Sequence, residues 1–217
     1  MRTVIAGGHG QIALRLERLI SARGDSAVGL IRNPAQADDL REAGAEPVVL
    51  DLESATADDV AAALAGAHAA VFAAGAGPGS SVERKQTVDR DAAVLLADAA
   101  ERAGVRRFLV VSSMGADAKA EGKDPVFTAY LRAKGAADDA IRARTALDWT
   151  ILRPGALTDD AGTGRVLLSD RTGRGPVPRD DVAAVLLALL DAPAAAGRTL
   201  ELISGDTDIA AAVGQLA

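Results

Sequence analysis

The sequence predicts an α/β fold, a doubly wound and mostly parallel sheet with helices on both faces and a minimal substrate lobe. Three observations predict it. Short β-branched or apolar runs alternate with amphipathic helical stretches along the 217 residues, the spacing of strands joined by right-handed helical crossovers. The first run passes directly into a glycine loop and then a helix. Small and polar residues recur just past the predicted strands, the edge where such sheets bind ligands.

The elements follow in order. Residues 2–6 form the first strand, and 10–23 a helix with Ile12, Leu16, Leu19 and Ile20 on one face, stopped by Gly24. Ser26–Ile31 is the second strand, with Asn33-Pro34 as a turn and a short helix over 35–43. Pro47–Leu50 is the third strand, Asp58–Leu64 a helix, and Ala69–Ala74 the fourth strand, opening into the small-residue loop Gly75–Gly79. A long helix spans about 81–103, Arg107–Ser112 is the fifth strand, 126–144 is helical, and Asp148–Arg153 is the sixth strand. Beyond Pro154 the pattern breaks into Gly, Asp and Thr turns, followed by a helix over Asp180–Leu190, a strand over Thr199–Ile203 and a helix over 208–216. With no repeat and no linker, residues 1–217 read as one domain. About 155–179, with the loop after Ser113, is left to cover a substrate.

Composition removes several function classes. Apolar residues make up 49% and charged residues 25%, the balance of a soluble globular protein. The absence of cysteine excludes disulfides, thiolate chemistry and cysteine-based metal sites. No apolar run reaches the roughly 18 residues of a membrane span, and the N-terminal residues do not form a signal peptide. A cytoplasmic protein without a membrane partner is expected. The net charge of −6, with both signs interspersed, gives no electrostatic footprint for nucleic acid. His9 and His68 are the only imidazoles, so no metal centre is predicted. Tyr130 and Trp149 are single examples of their type, and the only lysines are Lys85, Lys119, Lys123 and Lys134.

The spacing Gly7-x-x-Gly10-x-x-Ala13 suits a strand–turn–helix unit that receives a dinucleotide pyrophosphate. Gly7 permits the tight turn, Gly10 lets the phosphate approach bare backbone, and Ala13 lets the helix pack on the strand. The N–H groups of the helix start, at Gln11 and Ile12, would bind the anion together with the positive end of the helix dipole. His9 either touches a phosphate or points to solvent. Arg32 ends the second strand, where an acidic residue would hold the ribose hydroxyls of NAD; arginine instead suits a 2′-phosphate. With no acid in Gly29–Pro34, NADP is favoured, with NAD as the alternative. Asp51 and Leu52 would meet the adenine edge, unless Asp51 serves only to cap a turn. Ala73, Ala74 and Gly75, at the end of the fourth strand, stand at the edge where such sheets bind ligands.

Tyr130 and Lys134 stand four apart and share one helix face. A phenol works as an acid–base near neutrality only where a nearby cation favours its phenolate, and Lys134 supplies one while also reaching the ribose. Ser113, just past the fifth strand, would hold a substrate oxygen beside the tyrosine hydroxyl.

The GGxGxxA loop, VSSMGA after the fifth strand, YxxxK in the next helix, TILRPGALT and an RDDVA helix together resemble the short-chain dehydrogenase/reductase superfamily, over residues 2 to about 205. More narrowly, the chain resembles its atypical NAD(P)H-binding subgroup, with flavin/biliverdin reductase-like and NmrA-like relatives and a Rossmann-like fold. The resemblance implies Tyr130 as acid–base, Lys134 as ribose ligand and Ser113, rather than Ser112, as substrate-orienting hydroxyl. It also implies Pro154, Gly155 and Leu157 near the nicotinamide. Val88-Asp89-Arg90 departs from relatives that carry an asparagine there, and the polar stretch between Ser113 and Tyr130 looks flexible.

The short stretch after the sixth strand leaves no room for the second lobe of a nucleotide-sugar epimerase. The expected activity is NADPH-dependent reduction of a small carbonyl or quinone-like molecule. The alternatives are a non-enzymatic NADP(H)-sensing or partner-binding protein and a flavin reductase-like enzyme, the latter short of aromatics for an isoalloxazine ring. A monomer and a homodimer are both compatible with Val94, Leu95 and Leu96 on the long helix.

Overall fold

Strands of alternating apolar residues bury both faces, and that pattern places the layers. In the computed structural model, which describes residues 1–77 and 79–216, Val4 and Ala6 of β1 (Arg2–Ala6) pack into one core while Ile5 packs into the other. Pro78 of the predicted small-residue loop and Ala217 lie outside the described residues. One layer holds α1 (Gln11–Ala22) and α7 (Arg179–Leu190); the other holds α3 (Ala57–Ala63), α5 (Ala92–Ala103) and α6 (Pro125–Arg142). Phe72 and Phe108 are fully buried in the second layer, each contributing about 2–3 kcal/mol of burial.

The remaining strands are β2 (Ser26–Ile31), β3 (Ala45–Val49), β4 (Ala69–Phe72), β5 (Arg107–Val111), β6 (Asp148–Pro154), β7 (Ala156–Thr158), β8 (Arg165–Ser169), β9 (Pro176–Pro178), β10 (Arg198–Ser204) and β11 (Thr207–Asp208). The main sheet runs β11-β8-β10-β6-β5-β4-β1-β2-β3, parallel from β3 to β10 and antiparallel where β8 joins β10 and β11. The chain reverses direction across the sheet between β1 and β4, so their ends form the switch point where ligands bind. No helix among the described residues is long and apolar enough to cross a membrane.

Side chains cap the starts of α3 and α6. Thr56 and Asp59 form a reciprocal capping box on α3, and Asp124 accepts from Val126 and Phe127 N–H at 2.9 and 3.1 Å ahead of Pro125. The short α2 (Ala37–Glu42) and α8 (Ile209–Gly214) complete the set.

Three expectations are corrected. The fourth strand ends at Phe72 rather than Ala74, so Ala73 and Ala74 belong to the ligand-edge loop. The long helix over 81–103 is not uniformly α: α4 (Val82–Arg84) passes through a π-helical stretch, Lys85–Asp91, before α5. Lys85, Val88 and Asp89 of that stretch are buried. Residues 155–179, read from the sequence as Gly, Asp and Thr turns, hold three strands. Val166 and Leu168 point into the core and seat β8 in the main sheet, while β7 and β9 pair in a small parallel sheet. Outward-facing Leu167 hides that alternation in the sequence.

Candidate functional site

The cradle comes first. Gly7 has φ +80°, and a Cβ there would lie 2.6 Å from Ala74 Cα, so both the conformation and the contact require glycine. Gly8 lies so close to Gly29 that a Cβ would come within 2.7 Å of Gly29 Cα. Gly10 N–H donates to Gly7 O at 2.8 Å and closes the turn. Gly10 is also the N-cap of α1, with no side-chain cap and no acid in the first turn. The N-terminal N–H groups of α1, including Gln11 and Ile12, are therefore left to an anion. A Cβ on Gly10 would meet Gly7 O at 3.1 Å and Ala73 O at 3.6 Å, so its hydrogen keeps this surface low. These residues fit a dinucleotide pyrophosphate.

The cradle opens into a cleft of about 330 Å³. Gly7, Gly10, Arg32, Asp51, Leu52, Ala73, Ala74 and Gly75, all predicted from the sequence, line it. The sequence reading missed Asn33, Glu53, Arg84, Val88 and Ala92, which line it too. Glu53 is central among them: its Oε2 accepts from Arg84 at 2.7 Å and Arg32 at 3.3 Å, and its Oε1 accepts from Thr87 at 2.7 Å. The Arg84 guanidinium, with Thr87, holds the Glu53 carboxyl below the usual range. Asp51 Oδ1 accepts the Glu53 N–H at 3.0 Å, so it caps the turn while lining the cleft. His9 lies against α2, its Nε2 2.6 Å from Asp39 Oδ2. The presence of Arg84 and Glu53 beside the second-strand arginine had no motif to announce it.

The other end is built from side chains that already hold one another. Lys134 is 4% exposed, and its Nζ donates to Ala74 O at 3.3 Å and Val111 O at 3.2 Å. It lies 3.4 Å from Asp89 Oδ1 and over the Phe72 ring. Lys134 thus braces the cleft loop from below. The Oδ2 of Asp89 accepts the Ala76 N–H at 3.3 Å. Tyr130 is half-buried, stacked on Phe127 at 6.0 Å between centroids. The ammonium recorded over its ring is that of Lys85, 5.6 Å away, which also donates to Gly77 O. Ser113 Oγ donates to Met114 O at 3.3 Å.

Ser112 and Arg153 have a separate duty. Asp138 Oδ2 accepts from Ser112 Oγ at 2.9 Å and from Arg153 Nε and Nη2 at 2.9 and 2.7 Å. Burial raises the Asp138 carboxyl above its usual range although Arg153 opposes the shift. Arg153 is thus paired with a buried carboxylate. The loop after Ser113 is anchored, not free: Asp117 N–H donates to Leu131 O, Arg132 Nε donates to Ala120 O, and a Cβ on Gly135 would strike Asp117. Pro154 O accepts the Met114 N–H. Gly155 is forced by backbone, since a Cβ would lie 2.1 Å from Gly175 O. Leu157, on β7, is 38% exposed. Tyr130, Lys134, Ser113, Pro154, Gly155 and Leu157 do not line the cleft itself. The TDDAGTGRV stretch is a tethered connector to β8, with Thr163 and Gly164 N–H donating to Asp181.

A glycine cradle and an acid-bridged arginine cleft at the switch point of a doubly wound sheet define a dinucleotide-binding protein. The chain belongs to the NAD(P)H-binding family, whose sequence model matches residues 7–193. It is 36% identical to the Bacillus subtilis protein YhfK, named an uncharacterized sugar epimerase, over the whole of both chains. Among solved structures, a Bacillus halodurans protein with the provisional name NAD-dependent epimerase/dehydratase is 36% identical, with a TM-score of 0.90 over 99% of each chain. ChuY of Escherichia coli O157:H7, an anaerobillin reductase, is 28% identical, with a TM-score of 0.80 over 96% of this chain and 99% of its own.

Proposed function

We propose that the protein is an NADPH-dependent oxidoreductase that reduces a small carbonyl or quinone-like molecule. The observation that carries this reading is the cleft: a glycine cradle for the pyrophosphate leads to a rim with Arg32 and Arg84 and no acid on β2. Held at its pyrophosphate by Gly7, Gly10 and the start of α1, the cofactor would supply the hydride that reduces the carbonyl carbon. Tyr130 gives its hydroxyl proton to the carbonyl oxygen and recovers it from solvent. Ser113, whose hydroxyl makes a single long bond, to Met114 O, among the described residues, turns to hold the same oxygen. Lys134 keeps the Ala73–Gly75 loop in place and presents a positive charge beneath it.

The names of relatives suggest epimerisation, but residues beyond β6 are spent on sheet strands and helices, with only the small β7–β9 sheet left over. That supports reduction of a small molecule over chemistry on a nucleotide sugar. A second reading, cofactor binding without turnover, draws support from the full engagement of Lys134 by two carbonyls and Asp89. One pair of measurements separates them. NADPH oxidation with a panel of carbonyls and quinones is expected in the wild type and strongly reduced in Tyr130→Phe, while NADPH affinity stays the same. Undiminished turnover in Tyr130→Phe removes the catalytic assignment, and no turnover with any acceptor favours the binding protein. Equal NADPH and NADH affinity in the wild type would remove the phosphorylated-cofactor reading.

A further inference from the structure

Two guanidiniums reach the same carboxylate from opposite walls of the cleft. Arg32 comes from the end of β2 and Arg84 from α4, and both donate to Glu53 Oε2, at 3.3 and 2.7 Å. Their side chains are 57% and 36% exposed, so both reach solvent. Glu53 is held more firmly, with its Oε1 taken by Thr87 at 2.7 Å and its own N–H given to Asp51. A carboxylate that gathers two exposed arginines at the rim of an anion-binding cleft occupies the place of an anion.

We propose that Arg32 and Arg84 form a two-guanidinium clamp for the cofactor 2′-phosphate, with Glu53 as the anion that holds the clamp in register until the phosphate arrives. The inference rests on the reading that the cleft takes a phosphorylated dinucleotide, and it adds the specificity-determining residues. A lone exposed arginine is a weak ligand, because pairing at the surface is worth at most about 1 kcal/mol. Two forks converging on one phosphate make several charge-assisted bonds. A phosphate monoester carries about −1.5 to −2 charges near neutrality, enough to balance both guanidiniums. Asn33 completes the rim: its Oδ1 accepts the Ala35 N–H at 3.0 Å, which leaves its amide N–H groups for a ligand. Glu53 gives the clamp its order and also opposes the incoming charge, so its two effects on binding separate by substitution. Gln keeps an acceptor for the arginines and removes the repulsion.

The test is a calorimetric titration of adenosine 2′,5′-bisphosphate and of 5′-AMP into wild type, Arg32→Met, Arg84→Met and Glu53→Gln. Wild type is expected to bind the bisphosphate more tightly. Each arginine variant should lose about tenfold for the bisphosphate, the low end for a hydrogen bond to a charged group, and less than about twofold for 5′-AMP. Glu53→Gln should bind the bisphosphate about threefold more tightly, as expected when a modest surface repulsion is removed. Arg84→Met with wild-type affinity for the bisphosphate, or with an equal loss for both ligands, overturns the clamp; the equal loss would place Arg84 on the base or ribose. Weaker bisphosphate binding in Glu53→Gln overturns the part given to Glu53. If wild type does not distinguish the two ligands, the phosphorylated-cofactor reading itself falls. Discrimination in wild type with a silent Arg84→Met removes the clamp alone.

Discussion

The two ends of the ligand edge are built on opposite plans. At the cradle, backbone does the shaping: Gly7, Gly8 and Gly10 remove side chains so that turn, strand and helix N-terminus meet in one low surface. Its charged groups stand at the rim, solvated and joined only by Glu53. Beyond β5 and β6, side chains do the shaping. Lys134 is held by Asp89 and two carbonyls, and Asp138 holds Ser112 and Arg153. The first end is preformed for a ligand, whereas the second is preformed around its own ion pairs. Substitutions at the cradle should therefore cost affinity, and substitutions behind β5 and β6 should cost stability.

The largest effect is expected behind β6. Asp138→Ala leaves Arg153 and Ser112 without their shared acceptor, and removing one member of a buried pair costs about 3 kcal/mol or more. Urea unfolding should show that loss. The double variant Asp138→Leu/Arg153→Met should recover most of it, because no charge is then stranded. A single variant as stable as wild type would break the contrast between the two ends.

Glu17 tests the contrast from the cradle side. It lies in α1 beneath Gly8 and Gly29, fully buried, and neither carboxylate oxygen has a hydrogen-bond partner. Burial raises its pKa from 4.5 to about 8, with nearby Arg18 opposing. The folded protein holds this proton where the unfolded chain has released it, so stability is greatest below pH 4.5 and falls until about pH 8, then levels off. By pH 7 the loss amounts to about 3 kcal/mol. Glu17→Gln should flatten this slope in unfolding curves taken across the same range. A slope equal to that of wild type would mean that other groups set the pH dependence.

These two carboxylates also mark where the sequence stops being legible. The cradle is readable because φ +80° at Gly7 and the closeness of Gly8 to Gly29 leave glycine as the only solution. The β1–β6 frame is readable because each strand feeds both cores, which forces long apolar runs. Strand β8 escapes because Leu167 breaks its alternation. The π-helical stretch escapes because Lys85, Val88 and Asp89 keep the i, i+3, i+4 spacing of an ordinary helix face, so their pattern carries no sign of the widened turn. Tyr130 and Lys134 share a helix face as their spacing requires, but spacing does not say what else competes for the ammonium. Asp89, Ala74 and Val111 do, and they come from three distant segments. Glu53 and Arg84 are invisible for the same reason, since their meaning lies in a pairing across the cleft.

The smallest expected effect is the sharpest test of the backbone plan. Gly10 has φ −67°, a value open to any residue, and an added Cβ would meet nothing closer than Gly7 O at 3.1 Å. Gly10→Ala should therefore fold at a cost of about 1 kcal/mol, from the poorer N-cap and the close approach to Gly7 O, far less than a substitution at Gly7, where a side chain would collide with Ala74. The new methyl would stand on the surface that the pyrophosphate approaches, lengthening its bonds to the N–H groups at the start of α1. Loss of about one charge-assisted hydrogen bond predicts roughly tenfold weaker NADPH binding. Fluorescence titration of NADPH beside a thermal melt separates the two quantities. Wild-type affinity in Gly10→Ala would mean that the phosphates do not touch this backbone, and the cradle would then be a packing device for α1 rather than a ligand site.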